Sequence, residues 1–101
     1  MNPWRDVLRS IQRELERRSQ EVDGRPVLPN SAEVRLPVTR FGEFAPLLEA
    51  VTAELGEALV EWAARGGKAW YAGLGPFLNL ELVTEEAFQA TCGFRKTPPS
   101  A

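Results

Sequence analysis

The chain has 101 residues, of which 44% are hydrophobic and 26% charged, and its net charge is −2. This length and balance predict one globular domain with its own core and exclude an intrinsically disordered chain. The acidic balance gives no overall positive field that would attract nucleic acid. One cysteine excludes an internal disulfide, and no apolar run approaches the ~20 residues of a membrane span. We therefore expect a cytoplasmic protein that does not insert into membranes.

The first predicted helix spans residues 3 to 20. Its apolar residues recur at helical spacing and form one stripe: Trp4, Val7, Leu8, Ile11 and Leu15. Asn2 is the predicted N-cap, ahead of a proline. The opposite side carries a basic stripe with acidic residues interleaved: Arg5, Arg9, Arg13 and Arg17. We interpret it as a solvated face with ion pairs, and the alternative is a stripe that grips an acidic partner.

Two strands and a long helix follow the first helix. Residues 26 to 28 predict a strand, Pro29-Asn30 predicts a turn, and the next strand alternates between a buried and an exposed face. Its predicted buried face consists of Ala32, Val34 and Leu36. Thr39 is the predicted N-cap of the long helix, which either begins near Pro46 or bends there. Gly66-Gly67 predicts the end of this helix.

Gly56 is the unusual member of a small-residue flank on the long helix, which also carries Ala53, Val60 and Ala63 or Ala64. Glycine inside a helix costs about 0.8 to 1 kcal/mol relative to alanine, so we expect a compensating close contact. The backbone of the first helix is the favoured neighbour, and the same helix of a second copy is the alternative. Gly56 and Val60 are therefore candidates for an interaction surface.

Three further strands are predicted at residues 68 to 72, 77 to 83 and 88 to 94. In the first, Trp70 and Tyr71 are adjacent and should point to opposite faces, so one large aromatic needs cover from a partner or from a nearby turn. Trp70 beside Lys68 is the first candidate for an interaction surface. The predicted fold class is α+β. Two helices pack on one face of a small, mainly antiparallel sheet, in the order α-β-β-α-β-β-β.

The predicted domain covers residues 1 to 95, and residues 96 to 101 are expected to form a disordered tail. Groups able to do chemistry are few. The chain has no histidine, which excludes Ser-His-Asp and Cys-His arrangements within it. Cys92 falls on the apolar side of its strand, which predicts a buried structural thiol. Glu54, Glu57 and Glu61 share a helix face and could hold a hard cation, although three glutamates on a helix are more often solvated surface.

Several short motifs resemble the N-terminal domain of bacterial forkhead-associated proteins of the FhaA type. They are the Val-Leu-Pro-Asn turn at Pro29-Asn30, the Ala45-Pro46 entry to the long helix, the glycine at Gly67 before an aromatic strand, and the basic end of the first helix at Arg17-Arg18. The resemblance covers residues 3 to 95. In that family an N-terminal extension precedes this domain, and a linker and a phosphothreonine-binding domain follow it. Phosphothreonine binding belongs to that separate domain and is not implied for these residues.

The resemblance implies the fold and a role as a protein-interaction module in signalling, with no catalytic residues. The first hypothesis is thus a non-enzymatic scaffold or regulatory adaptor without a cofactor, whose partner is a protein or a second copy. A small nucleic-acid-binding module is the alternative, supported by the arginines of the first helix but opposed by the acidic balance. A small metal-dependent enzyme that uses Glu54, Glu57 and Glu61 is the second alternative.

Overall fold

The computed structural model describes residues 3–99. Helix α1 spans Pro3–Arg17 and buries Val7, Ile11 and Leu15, as the apolar periodicity predicts. The helix ends earlier than expected because Gln20–Val22 forms a short exposed strand, β1. Asn2, the predicted N-cap, lies outside the described residues.

The strands form two three-stranded sheets. Strands β2 (Arg25–Leu28) and β3 (Ser31–Pro37) follow one another along the chain with two residues between them. Strand β2 pairs antiparallel with β1 and parallel with β4 (Ala69–Trp70). Strand β3 pairs parallel with β5 (Phe77–Val83) and antiparallel with β6 (Gln89–Gly93). The strand orders are β1-β2-β4 and β5-β3-β6, and a bend at Pro29-Asn30 interrupts the extended chain between the two middle strands, β2 and β3.

Both sheets are mixed rather than mainly antiparallel. The long helix between β3 and β5 carries the chain back along the sheet, so β5 starts at the same end as β3 and runs parallel to it. The α+β class and the predicted element order are confirmed, with β1 as an addition. Alternation of side chains is the same in parallel and antiparallel strands, so it predicted which residues are buried and not the strand direction.

Asn30 lies at the interruption and is 0% exposed. Its side-chain amide donates to the carbonyl oxygens of Tyr71 (3.0 Å) and Arg95 (2.8 Å), and its Oδ1 accepts from the Arg95 N–H (2.7 Å). Its own carbonyl accepts from the Phe77 N–H at 2.8 Å. The backbone of Gly75, at φ +90°, passes so close to Asn30 that a Cβ at residue 75 would lie 2.7 Å from the backbone carbonyl oxygen of Asn30. We call this arrangement the Asn30 junction, and it ties both sides of the bend together.

The long helix has three parts. Helix α2 spans Val38–Phe41, a 3₁₀ segment covers Gly42–Leu47, and helix α3 runs over Leu48–Arg65. The α-helix therefore begins just after Pro46, which lies in the 3₁₀ segment where its missing donor is tolerated. Thr39 was expected to be an N-cap, but this is wrong: it lies inside α2, whose N-cap position is Pro37 and has no side-chain cap.

The two long helices cover one face of the β5-β3-β6 sheet, with α1 against β6 and α3 against β5. The opposite face is exposed and polar, for example at Glu33 and Arg35. No helix in residues 3–99 is long and apolar enough to cross a membrane. After Arg95, residues 96–99 form neither helix nor strand. The expected disordered tail stays a prediction, and residues 100–101 lie outside the described part.

Candidate interaction surface

A groove lies on the outer flank of α3. Ala53, Gly56 and Val60 recur at spacings of three and four along the helix, and Pro76 from the loop before β5 closes the side. Glu57 and Glu61 line the same groove. Its volume is about 440 Å³. We call it the α3 groove, and it contains Val60, one of the large hydrophobic side chains that the fold leaves exposed, at 46%.

Gly56 faces open space in this groove. A Cβ built at this position meets no atom within 4 Å, so the expected close approach of the first helix is wrong. Helix α1 lies on another side of α3, where Trp4, Leu8 and Val51 line a cleft of about 300 Å³. The cost of a glycine in the helix is therefore not offset by a contact within the described chain. The second copy that could provide such a contact stays a prediction.

Trp70 and Lys68 are not among the residues that line the α3 groove. Trp70 is half-buried and packs against the core, while the Nζ of Lys68 lies 5.2 Å above the ring of Trp62. Tyr71 is also half-buried and meets Phe94 edge to face, with ring centroids 5.1 Å apart. The two adjacent aromatics thus have different neighbours, and each is covered in part by its own chain. Of the four predicted surface residues, Gly56 and Val60 therefore line the α3 groove and the other two do not.

The arginine stripe of α1 is exposed. Arg17 makes two bonds to the Glu14 carboxylate, at 2.6 and 3.0 Å, and this hydrogen bonding lowers the pKa of Glu14. Arg5, Arg9 and Arg13 also lie on the exposed side of the helix. An ion pair at the surface adds little stability, so the stripe is better explained by solvation or by a partner than by folding.

The side chains that could take part in catalysis or metal binding are not brought together at one place. Cys92 is buried, as predicted, and burial raises the pKa of its thiol to about 11. Glu54, Glu57 and Glu61 are exposed along α3, and within residues 3–99 no group of three or more acidic, histidine or cysteine side chains is placed to hold a metal ion. From the sequence, these glutamates are expected to bind a metal or to face solvent. The structure instead places Glu57 and Glu61 in the α3 groove, because they directly follow Gly56 and Val60 along the helix.

The comparisons with known proteins point to one fold. A scan against protein-family models and a search of curated proteins both found no match. Among solved structures, the N-terminal domain of Rv0020c, an FhaA-like protein from Mycobacterium, is similar with a TM-score of 0.76. The match has 18% identity and covers 90% of this chain and 70% of that one. This likeness confirms the fold that the sequence resemblance implies and assigns no residue a role.

Proposed function

We propose that this chain is a non-catalytic protein-interaction domain that acts as a scaffold or regulatory adaptor in cytoplasmic signalling. The α3 groove is the observation that carries the proposal. A helix in a small domain needs one apolar face to build the core, and α3 buries Leu55, Leu59 and Ala63 for that purpose. The other flank of α3 exposes Val60, and next to it Gly56 has no atom within 4 Å of the position that a Cβ would occupy. An exposed apolar flank next to an unfilled groove is typical of a binding surface.

The signalling context rests on likeness. The motifs at Pro29-Asn30 and Ala45-Pro46 resemble FhaA-type N-terminal domains, and the fold is similar to that of the Rv0020c N-terminal domain. The interaction role is carried over from the family that these motifs resemble, and the likeness of fold supports the architecture of that domain. The absence of histidine from the sequence is compatible with this role, since recognition by a groove needs no general base.

The test introduces a charge into the groove. Val60→Glu places a carboxylate on a surface that already holds Glu57 and Glu61, and because Val60 is exposed the fold should remain intact. Val22→Glu is the matched control, since Val22 is 49% exposed and lies in β1, outside the groove. We expect in-cell cross-linking followed by mass spectrometry to find the same protein neighbours for the wild type and V22E, and to lose them for V60E. Identical neighbours for all three would reject the proposal.

A nucleic-acid-binding module is the second candidate, and the exposure of Arg5, Arg9 and Arg13 on α1 favours it. Contacts to phosphates would weaken steeply with salt. We expect no binding of a random oligonucleotide near about 50 mM salt, because the net charge is negative. Binding that disappears when these three arginines are replaced by glutamate would instead favour this candidate over the protein-interaction domain.

A further inference from the structure

Strand β5 has an open outer edge. It is the first strand of the β5-β3-β6 sheet and pairs with β3 over its whole length, from Ser31↔Phe77 to Pro37↔Val83. The Phe77 N–H donates to Asn30, so odd-numbered residues of β5 direct their backbone groups to β3. The backbone N–H and C=O of the even-numbered residues therefore point outward: Leu78, Leu80 and Leu82.

The two edges of this sheet differ. At the β6 edge, Arg18 from the end of α1 donates to the carbonyl of Cys92 at 3.4 Å, and α1 packs against the strand. At the β5 edge, no backbone bond outside the β3 ladder reaches Leu78, Leu80 or Leu82 within the described residues. The strand also lacks the lysine, proline or bulge that proteins use to block an edge. An edge of this kind is a template for another strand.

The open edge adjoins the α3 groove. Helix α3 packs on β5, and Pro76, which lines the groove, immediately precedes the strand. The side chains of Leu78, Leu80 and Leu82 pack against the core but are only half-buried, so the face of β5 that carries them is not fully covered. A strand added beside β5 would direct every second side chain toward the flank of α3, because side chains alternate between the two faces of a sheet. The open positions at Gly56 and Val60 leave room for short apolar side chains there.

The charges around this site favour a basic occupant. Glu57 and Glu61 line the groove, and among residues 3–99 no cationic residue lines it. A second copy related by a two-fold axis would bring the same acidic flank against itself, which opposes pairing of the two copies. Basic side chains on an extended segment would meet opposite charge instead.

The geometry points to strand addition at the β5 edge by an extended, basic segment of a partner protein. Its backbone pairs with Leu78, Leu80 and Leu82. The side chains on its α3-facing side are short apolar residues that enter the α3 groove and a lysine or arginine that meets Glu57 and Glu61. The inference rests on the proposed function and specifies its binding mode and partner chemistry.

The test uses synthetic peptides as long as β5, which has seven residues. The probe alternates serine with valine or lysine, so that valine and lysine share the face that turns toward α3, and its ends are capped. One control is the same peptide methylated on every backbone nitrogen, which keeps the charge and removes the donors, and a second control replaces lysine by glutamate. The readout is amide hydrogen exchange in the isotope-labelled full chain. The amides of Asn79 and Glu81, already bonded to β3, serve as the internal reference.

We expect the probe to protect the outward amides at Leu78, Leu80 and Leu82 about tenfold or more, since each new hydrogen bond must open before exchange. Both control peptides should lose this effect. The double variant E57K/E61K should weaken the probe about threefold to tenfold, and E16K/E86K, which changes the net charge equally at exposed positions, should not.

Equal binding of the methylated peptide would overturn strand addition and leave only charge attraction. Protection that appears without peptide and grows with protein concentration would make a second copy the occupant and overturn the basic segment. Failure of the probe, together with loss of neighbours in V60E, would reject strand addition while the proposed function stands. Unchanged neighbours in V60E would reject the proposed function whatever the peptides do.

Discussion

The Asn30 junction and the α3 groove each contain a residue that is unusual at its place in the fold. The two places differ in whether the rest of the chain contacts that residue. Asn30 lies between strands β2 and β3, and every polar group of its side chain has a partner in the chain. Gly56 lies inside the continuous helix α3, and nothing lies within 4 Å of the position its Cβ would occupy. One irregularity is used by folding and the other is left at the surface. The difference indicates that the junction serves stability and that the groove is available for binding.

The largest expected effect is the loss of the junction. Asn30→Ala removes three side-chain hydrogen bonds, which are part-buried, and leaves the Arg95 N–H and the Tyr71 and Arg95 carbonyls without this partner. At about 0.5 to 1.5 kcal/mol for each hydrogen bond, we expect a loss of about 2 to 4.5 kcal/mol in the free energy of unfolding. Urea unfolding measures it. Asn79→Ala, at an exposed asparagine of β5, is the control and should change the free energy by less than about 0.5 kcal/mol.

Equal losses for the two asparagine variants would contradict this account, because they would mean that the bonds at Asn30 add nothing to stability. The comparison also explains what the sequence could predict. Pro29-Asn30 is a turn signal, and the chain does change course there. That the asparagine is buried follows only from segments that lie 41 and 65 residues away, at Tyr71 and Arg95. No local pattern contains that information.

Periodic elements were predictable because their signal is local. Val7, Ile11 and Leu15 in α1, and Ala32, Val34 and Leu36 in β3, are buried as their spacing requires. Strand β1 was not predictable, since all three of its residues are exposed and it shows no alternation. In the α3 groove, sequence spacing identified Gly56 and Val60 as one flank. It could not show which neighbour faces that flank, because this depends on the side of α3 on which α1 packs.

Trp70→Ala tests whether this tryptophan contributes to stability, as the Asn30 junction does, or to binding, as proposed for the α3 groove. Because the ring packs against the core, we expect a loss of about 2 to 4 kcal/mol in the free energy of unfolding. Leu47→Ala, at a leucine that is 53% exposed, should cost much less. Thermal unfolding of both variants measures the difference. A W70A variant that keeps its stability but loses the cross-linked neighbours of the wild type would place Trp70 in the interaction surface.

The reactivity of the Cys92 thiol tests how well the core is shielded from solvent at strand β6. Burial raises the pKa of its thiol to about 11, from an ordinary value of 9.0. At pH 8 we expect labelling by a thiol reagent to be at least about a hundredfold slower in the folded chain, since the thiolate fraction falls tenfold per pH unit. The folded state keeps this proton where the unfolded state releases it. The contribution of the Cys92 thiol to the free energy of unfolding is therefore complete below pH 9 and is lost as the pH rises toward 11.

The control for this pH dependence is Cys92→Ala, which has no thiol to titrate. Its free energy of unfolding should fall less than that of the wild type between pH 9 and 11, after allowance for the smaller side chain. Parallel curves for the two proteins would show that the thiol does not contribute. Rapid labelling of the folded wild type at pH 8 would show that the core opens readily at this edge.

The smallest effect gives the sharpest test of openness, because two glycines with the same free space should respond with opposite sign. Gly56→Ala adds a methyl group where nothing lies within 4 Å and improves helix propensity, so we expect a gain of about 0.8 to 1 kcal/mol. Gly67→Ala also meets no atom, but Gly67 has φ +66°, and the left-handed conformation costs an alanine about 1 to 2 kcal/mol. Urea unfolding of both variants separates space from backbone conformation. If G56A stabilises the chain yet weakens the lysine-valine probe, the glycine is kept for the occupant of the groove; a G56A that destabilises the chain would show that the groove is closed in solution.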